Sequence, residues 1–407
     1  MTALSPVTAG DRLDQLDILR GFALFGILMV NFEYFLNPIQ SVVLGYAGGL
    51  QSADAGVDLG IKILAEGKFY PLFSMLFGAG FALMYERAVE RGQGFWSVYL
   101  RRLMVLLAFG LVHMLLIWSG DILLTYALVA FLMVLFFRRT PASRLPKWAV
   151  VFLLLPTVVQ LGLFGLLALV PADAAVEVQQ QFATELASTR EIVAQAAAIY
   201  ANGSFIEAVG QRLDDLLFLL SSFLFWIPPI LGFFLIGRWL IVTGRLADPE
   251  RHADFFSTLM KLGFLLGLPL SVLAGWLIWQ ENLIQPTARL ALGSACLAFG
   301  APLLALGYLA TVVLNRHRLT WLAPAGRMAL TNYLMQSLFW TWMIYGYGLG
   351  LGPRIPPALT PVLVAAFFAL QIVVSRLWLE RFRFGPAEWL WRSLTYLRVQ
   401  PMRKAPG

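Results

Sequence analysis

About ten apolar runs of roughly 20 residues leave this chain few folds to choose from, because each is long enough to cross a hydrocarbon core. They lie near 18–36, 69–85, 101–118, 121–138, 147–170, 216–242, 257–279, 290–313, 327–348 and 358–380. Backbone groups inside lipid must bond within their own segment, so such runs can only be helices. The third and fourth runs are divided only by Ser119, Gly120 and Asp121, a tight hairpin at one membrane face. The expected fold is therefore all-α, a polytopic membrane helix bundle, with residues 1–407 forming a single membrane domain. No internal repeat stands out.

Composition supports this. Hydrophobic residues make up 59% of the chain and charged residues 13%, against roughly a quarter charged in soluble domains. The net charge of +7 does not mark a nucleic-acid binder, since the basic residues sit in short loops and build no separate basic domain. The single cysteine, Cys296, excludes an intramolecular disulfide and a cysteine-based metal site. A polar lead with no small-residue cleavage pattern predicts no removable signal peptide. No zinc-ligand spacing and no phosphate-binding glycine loop of the ATPase type are present, so neither a metal nor ATP drive is expected.

Loop charge sets the direction. With the N-terminus inside, the outer side keeps only Lys62, Lys68, Arg190, Arg212, Arg289 and Arg354 of 30 basic residues. The positive-inside rule then puts both termini in the cytoplasm, with the plasma (inner) membrane as the expected location. Three pieces are expected not to span. Residues 52–67 place Val57, Ile61 and Leu64 at helical spacing as a short interfacial helix. Residues 171–215 form a long outer loop in which Phe182, Leu186, Val193 and Tyr200 predict an amphipathic helix over the outer mouth. Residues 381–407, with Trp389 and Trp391, read as an inner-surface anchor.

Ionisable and amide side chains inside spans are costly, so each is a functional candidate. His113 is the only histidine in a span and lies roughly 17 Å along its helix from Arg101 and Arg102. Asp121 follows at the hairpin and Tyr126 begins the returning helix. A histidine beside a carboxylate is what general-base chemistry requires; the plainer reading is a histidine bonded between helices for packing. Asp17 and Arg20 share a helix face and can pair, or act as a cap and a snorkelling cation. Asn31 can orient a carbonyl or tie helices together. Lys68 can hold an anion or snorkel. Gly78 and Gly80 are expected to allow close helix approach. Asn332 and Gln336, one turn apart, either line a cavity or join helices.

The run Arg12-Leu13-Asp14-Gln15-Leu16-Asp17-Ile18-Leu19-Arg20-Gly21-Phe22-Ala23-Leu24-Phe25-Gly26-Ile27 with Asn31 resembles the opening of YeiB-like membrane proteins, which carry the domain of unknown function 418. The Lys68–Gly80 run, the hairpin from His113 through Trp118 and Asp121 to Tyr126, the Gly326–Ser337 run and the Phe384–Tyr396 run fit the same family. The Asp-x-x-Arg-Gly start also resembles a wider set of multi-spanning acyltransferases, among them heparan-α-glucosaminide N-acetyltransferases and the acyltransferase-3 proteins. That resemblance implies transfer of an acyl group, acetyl in the first instance, from cytoplasmic acyl-CoA to a glycan on the far face, with a histidine as the catalytic residue. Acyltransferase-3 proteins place a histidine late in the first span, where this chain has Asn31, so the role falls to His113. On this reading Asp121 orients His113, while Asn31, Lys68, Tyr126, Asn332 and Gln336 meet the acceptor. Asp17 and Arg20 meet the acyl-CoA donor. The expected partners are the bilayer, a small-molecule or glycan acceptor and, in a homodimer, a second copy of the chain, with no nucleic acid. The alternative is a transporter or flippase of a small polar or lipid-linked substrate, with Asn31, His113, Asn332 and Gln336 along its path. A non-catalytic membrane scaffold is a third.

Overall fold

The computed structural model describes residues 13–45, 53–92, 94–167, 169–279 and 281–404. Arg12 and residues 405–407 lie outside them, as does residue 52 of the expected interfacial helix. The described residues are helical, with no strand beyond an isolated bridge between Phe382 and Arg403. In order they form α1 (Asp14–Leu36), α2 (Ala53–Leu64), α3 (Phe69–Glu90), α4 (Trp96–Leu116) and α5 (Leu123–Leu132), which a π turn extends to Phe137. Then come α6 (Leu145–Leu167), α7 (Ala172–Asn202), α8 (Phe205–Val242), α9 (Ala253–Leu262), α10 (Leu268–Ile278) and α11 (Ala288–Leu314). The chain closes with α12 (Ala323–Arg327), α13 (Ala329–Ile344), α14 (Thr360–Arg381) and α15 (Pro386–Tyr396). A π turn over 263–267 joins α9 and α10 into one rod.

Among the described residues, eight helices are long and apolar enough to cross a membrane, and residues 123–137 form a shorter apolar helix. The protein is a multi-pass membrane protein. Each expected run coincides with a helix, but α5 and α13 are short. The expected span over 327–348 shrinks to 329–344, because Met328 turns the chain between α12 and α13 and Tyr345 is extended.

Packing follows the small residues, as it must where lipid removes the hydrophobic drive between helices. α3 and α8 cross at two glycines. A Cβ on Gly78 would meet the Phe234 carbonyl oxygen at 1.9 Å, and one on Gly237 would meet that of Met75 at 1.8 Å. Gly80, expected to do likewise, faces open space. Gly21 and Gly326 bring α1 against α12 in the same way. At the periphery, α6 buries only Leu145 and Ala149 and leans on α8.

The segment over 171–215, expected as an outer loop carrying an amphipathic helix, is helical through most of its length. α7 fills 31 of its residues, with Phe182, Leu186, Val193 and Tyr200 on its less exposed face, as the periodicity predicts. α8 begins at Phe205 through a capping box. Ser204 Oγ accepts from the Glu207 N–H, and Glu207 Oε2 accepts from the Ser204 N–H at 2.7 Å. The helical period continues from that cap into the apolar run, so no break separates loop from span.

The two ends of the bundle differ. The start of α1, the start of α4, α12 and α15 gather at the terminal end; residues 117–122 turn at the hairpin end. The anchor expected over 381–407 docks on protein. Trp391 Nε1 donates to the Arg102 carbonyl at 3.0 Å and Trp389 Nε1 to that of Gln400 at 2.7 Å. Arg101 Nε donates to the Thr395 carbonyl at 2.9 Å. An indole N–H taken from water needs an acceptor, and here each finds a backbone carbonyl.

Candidate functional site

The hairpin between α4 and α5 folds Asp121 back onto His113. Asp121 Oδ2 lies 2.7 Å from His113 Nδ1, and both side chains are buried. Asp121 Oδ1 accepts the Leu124 N–H at 2.7 Å and so caps the first turn of α5. Gly110 makes the approach possible. A Cβ there would lie 2.4 Å from Leu124 N and 2.9 Å from Asp121 Oδ1.

An ionised carboxylate only accepts, so Nδ1 carries a proton toward Asp121, and in the neutral imidazole Nε2 then keeps the lone pair; this tautomer is assigned from the bonding. Nε2 is buried and has no hydrogen-bond partner among the described residues. A polar atom in that position costs about 1–3 kcal/mol, a cost that packing alone does not require. The Tyr333 ring stands 5.1 Å from the imidazole centroid, and its hydroxyl accepts the Ile122 N–H at 3.3 Å.

Beside the hairpin is a cavity of about 80 Å³ lined by Asn31, Tyr70, Gly120, Ile122 and Tyr333, with Ala65, Gly67 and Phe69 closing it near Lys68. Tyr333 belongs both to its wall and to the surroundings of His113. Lys68 is buried behind Gly67, with Nζ donating to the Lys62 carbonyl at 2.9 Å. His113, Asp121, Asn31 and Lys68 thus share one region.

The other candidates lie elsewhere. Tyr126 gives its hydroxyl proton to the Tyr70 carbonyl at 2.9 Å and bonds Ser74 Oγ at 2.9 Å, bracing α5 against α3. Asn332 Nδ2 donates to Ser375 Oγ at 2.9 Å and to the Ala325 carbonyl at 3.1 Å. Gln336 Nε2 donates to Gln371 Oε1 at 2.8 Å, and Gln371 returns a bond to the Asn332 carbonyl at 3.0 Å. These two amides therefore join α13 to α14. Asp17 and Arg20 pair at 2.7 Å at the terminal end, Asp17 buried and Arg20 30% exposed.

Three groups escape a reading of the sequence. Tyr333 sits inside a quoted motif, yet only the fold brings it to His113. Glu388 of α15 accepts the Leu330 and Thr331 N–H groups at 2.6 and 3.1 Å and the Thr331 hydroxyl at 2.5 Å, capping α13 from another helix. The third is a buried nest at the hairpin end. Asp215 accepts from Gln40, from Gln211 at 2.9 Å and from the Tyr200 hydroxyl at 2.5 Å. Arg212, counted among the outer-side basic residues, is fully buried beside it. It donates to the Leu116 carbonyl at 3.2 Å and the Tyr347 hydroxyl at 2.9 Å, placing a cation at the C-terminus of α4. Burial, with Asp215 alongside, holds the Tyr200 phenol protonated, well above its ordinary range.

Residues 240–398, from the end of α8 through α15, match a family described as a protein of unknown function (DUF418). Over 426 aligned residues the chain is 37% identical to the uncharacterised protein YxaH of Bacillus subtilis (strain 168), covering 99% of both. It is 30% identical to the uncharacterised protein YeiB of Escherichia coli (strain K12), covering 96% of this chain and 98% of the relative. An uncharacterised 39.9 kDa protein encoded in the amylase 3' region of Bacillus acidopullulyticus is 29% identical over 98% of each chain. The family match takes in Tyr333 and Glu388; the hairpin lies within the whole-length alignments.

Proposed function

The chain belongs to the DUF418 family of YeiB-like membrane proteins, and on that premise we propose that it is a membrane-embedded acyltransferase. One observation carries the reading: a buried His113–Asp121 pair whose second ring nitrogen has no partner among the described residues, near a small cavity that shares Tyr333 with it. At about 80 Å³ the cavity matches two or three waters, each filling roughly 30 Å³; a short acyl group has similar bulk.

The donor is an acyl-CoA thioester and the acceptor a glycan hydroxyl or amine. As the acceptor attacks the acyl carbonyl carbon, His113 Nε2 takes its proton. The C–S bond breaks, and the CoA thiolate leaves with that proton. Asp121 holds the proton on Nδ1 and steadies the imidazolium. Asn31 offers an amide N–H to the developing oxyanion, with the positive charge of Lys68 behind the wall. Tyr333 belongs both to the cavity wall and to the surroundings of the imidazole, and on this reading it swings aside for Nε2 to reach the acceptor. We place both termini in the cytoplasm of a cell whose plasma (inner) membrane the chain crosses about ten times, so donor and acceptor approach from opposite faces. The transport reading has less support, because Asn332 and Gln336, two of its four path residues, are engaged with α14.

Cells expressing the chain and fed labelled acetate provide the test. Label should enter an outer glycan with the wild type and not with His113→Gln. Equal labelling by the two proteins would sink the proposal. Reporter fusions within 171–202 should read as outer; an inner signal there would overturn the orientation.

A further inference from the structure

Arg212, near the start of α8, is fully buried. Taking a guanidinium out of water is expensive unless an anion meets it, yet the two groups it donates to are neutral. They are the Leu116 carbonyl at 3.2 Å and the Tyr347 hydroxyl at 2.9 Å. Its Nε has no partner among the described residues. Asp215, one turn on and equally buried, is met instead by Gln40, by Gln211 at 2.9 Å and by Tyr200 at 2.5 Å. A neutral donor would satisfy one carbonyl and one phenol at less desolvation. What it would lack is the planar fork, which holds two points at a fixed spacing.

Both points bear on the histidine. Leu116 ends α4 three residues after His113. A helix leaves its last four carbonyls without partners inside it. Here the His113 carbonyl takes the N–H groups of Ile117 and Trp118 at 2.9 and 2.8 Å, and the Leu116 carbonyl takes Arg212. The turn that carries the imidazole is thus closed by its own backbone and pinned by Arg212. The second arm of the fork reaches the segment 345–347, which the end of α7 grips. The Tyr200 carbonyl accepts the Gly346 N–H at 2.8 Å, and the Tyr200 ring stacks on Tyr345 with centroids 4.7 Å apart.

We propose that Arg212 is a positioning residue for the His113–Asp121 pair: its fork ties the last turn of α4 to the segment 345–347 and so fixes the aim of the imidazole. What the pair does rests on the acyl-transfer reading; that Arg212 aims it does not.

The test is nuclear magnetic resonance of the full-length protein in nanodiscs at mildly alkaline pH, with isotopically labelled histidine. His252→Gln and His317→Gln are built into every sample, so that His113 gives the only imidazole signals. The nitrogen shifts report which ring atom holds the proton, and the parent protein should show one tautomer, Nδ1 protonated and Nε2 bare. Arg212→Lys keeps the charge and loses the fork. Tyr347→Phe removes one oxygen and keeps the ring, and it serves where the lysine variant fails to fold. Each should give mixed tautomers, and glycan labelling should fall by about 10- to 100-fold with KM for the acyl donor unchanged. Arg238→Lys is the control. Arg238 also lies in α8 and also donates to backbone carbonyls, those of Phe137, Arg138 and Thr140 beyond the far end of α5. Its variant should keep the parent tautomer whatever it does to the melting temperature. A single parent tautomer in both Arg212→Lys and Tyr347→Phe overturns the proposal. So does mixing already present in the parent, or an equal change in Arg238→Lys, which would mean general loosening. If the signals change as expected while the parent labels no glycan, acyl transfer fails and the positioning role stands.

Discussion

Asp121 and Glu388 perform the same task in two places. Each carboxylate caps the first turn of a helix through one oxygen and holds a side chain through the other. Asp121 caps α5 and bonds His113; Glu388 caps α13 and bonds Thr331. The difference lies in the side chain held. Thr331 Oγ1 is committed further, accepting the Ala387 N–H at 3.1 Å. His113 ends in a buried nitrogen with no hydrogen-bond partner among the described residues. A closed network stabilises and does no more, whereas a buried lone pair held at a fixed angle is available for chemistry. On the proposed reading Glu388 belongs to a braced region and His113 to a reactive one.

The sharpest way to break it is at His113. His113→Ala should fold and lose roughly 10²–10⁴-fold in acyl transfer, the usual share of a general base. His113→Gln should not recover activity, since an amide can replace the bond to Asp121 but cannot take a proton. Near-normal turnover by the glutamine variant would put His113 with Thr331 among the bracing groups. The next largest effect belongs to Glu388. Glu388→Ala frees two N–H groups and a hydroxyl, and should cost about 1.5–3 kcal/mol in detergent melts; no loss would mean that the cap is idle. Gly110→Ala should cost about 1–3 kcal/mol through overpacking and part Asp121 from His113, so activity should fall further than stability. Parallel losses would argue against a reactive pair.

The smallest effect is one of pH. Burial holds the Glu388 carboxyl above its ordinary value of 4.5, outweighing the bonds from Thr331 and Leu330 that favour its charge. A raised carboxyl contributes stability that is complete below the unfolded value and is lost as pH rises through the folded one. The wild type should therefore lose melting temperature with rising pH across that window, relative to Glu388→Gln. Parallel curves for the two proteins would refute the sign.

Legibility in the sequence followed range. The apolar runs, the stripe on α7, the i,i+3 pair of Asp17 and Arg20 and the approach of Asp121 to His113 are local, set by helical period or by one tight turn. Partners far apart in the chain were hidden. Gln371 and Ser375 for the amides of α13, Leu116 for Arg212 and Tyr333 for His113 are chosen by packing, which hydropathy and loop charge do not encode. Gly110 is a further case. Nothing marks it among the glycines of the spans until the start of α5 is seen pressed against it.

The cap on α13 also sets an order in time. His113 and Asp121 leave the ribosome before Tyr333, which covers the imidazole, and before Glu388, which caps the start of the helix carrying Tyr333. At about 5–20 residues per second, tens of seconds of translation separate the pair from the helices that enclose it. Throughout that interval the nascent chain holds the histidine without its aromatic cover. A stop codon before Glu388 would leave an inserted protein with its His113–Asp121 pair intact and its cavity wall unanchored.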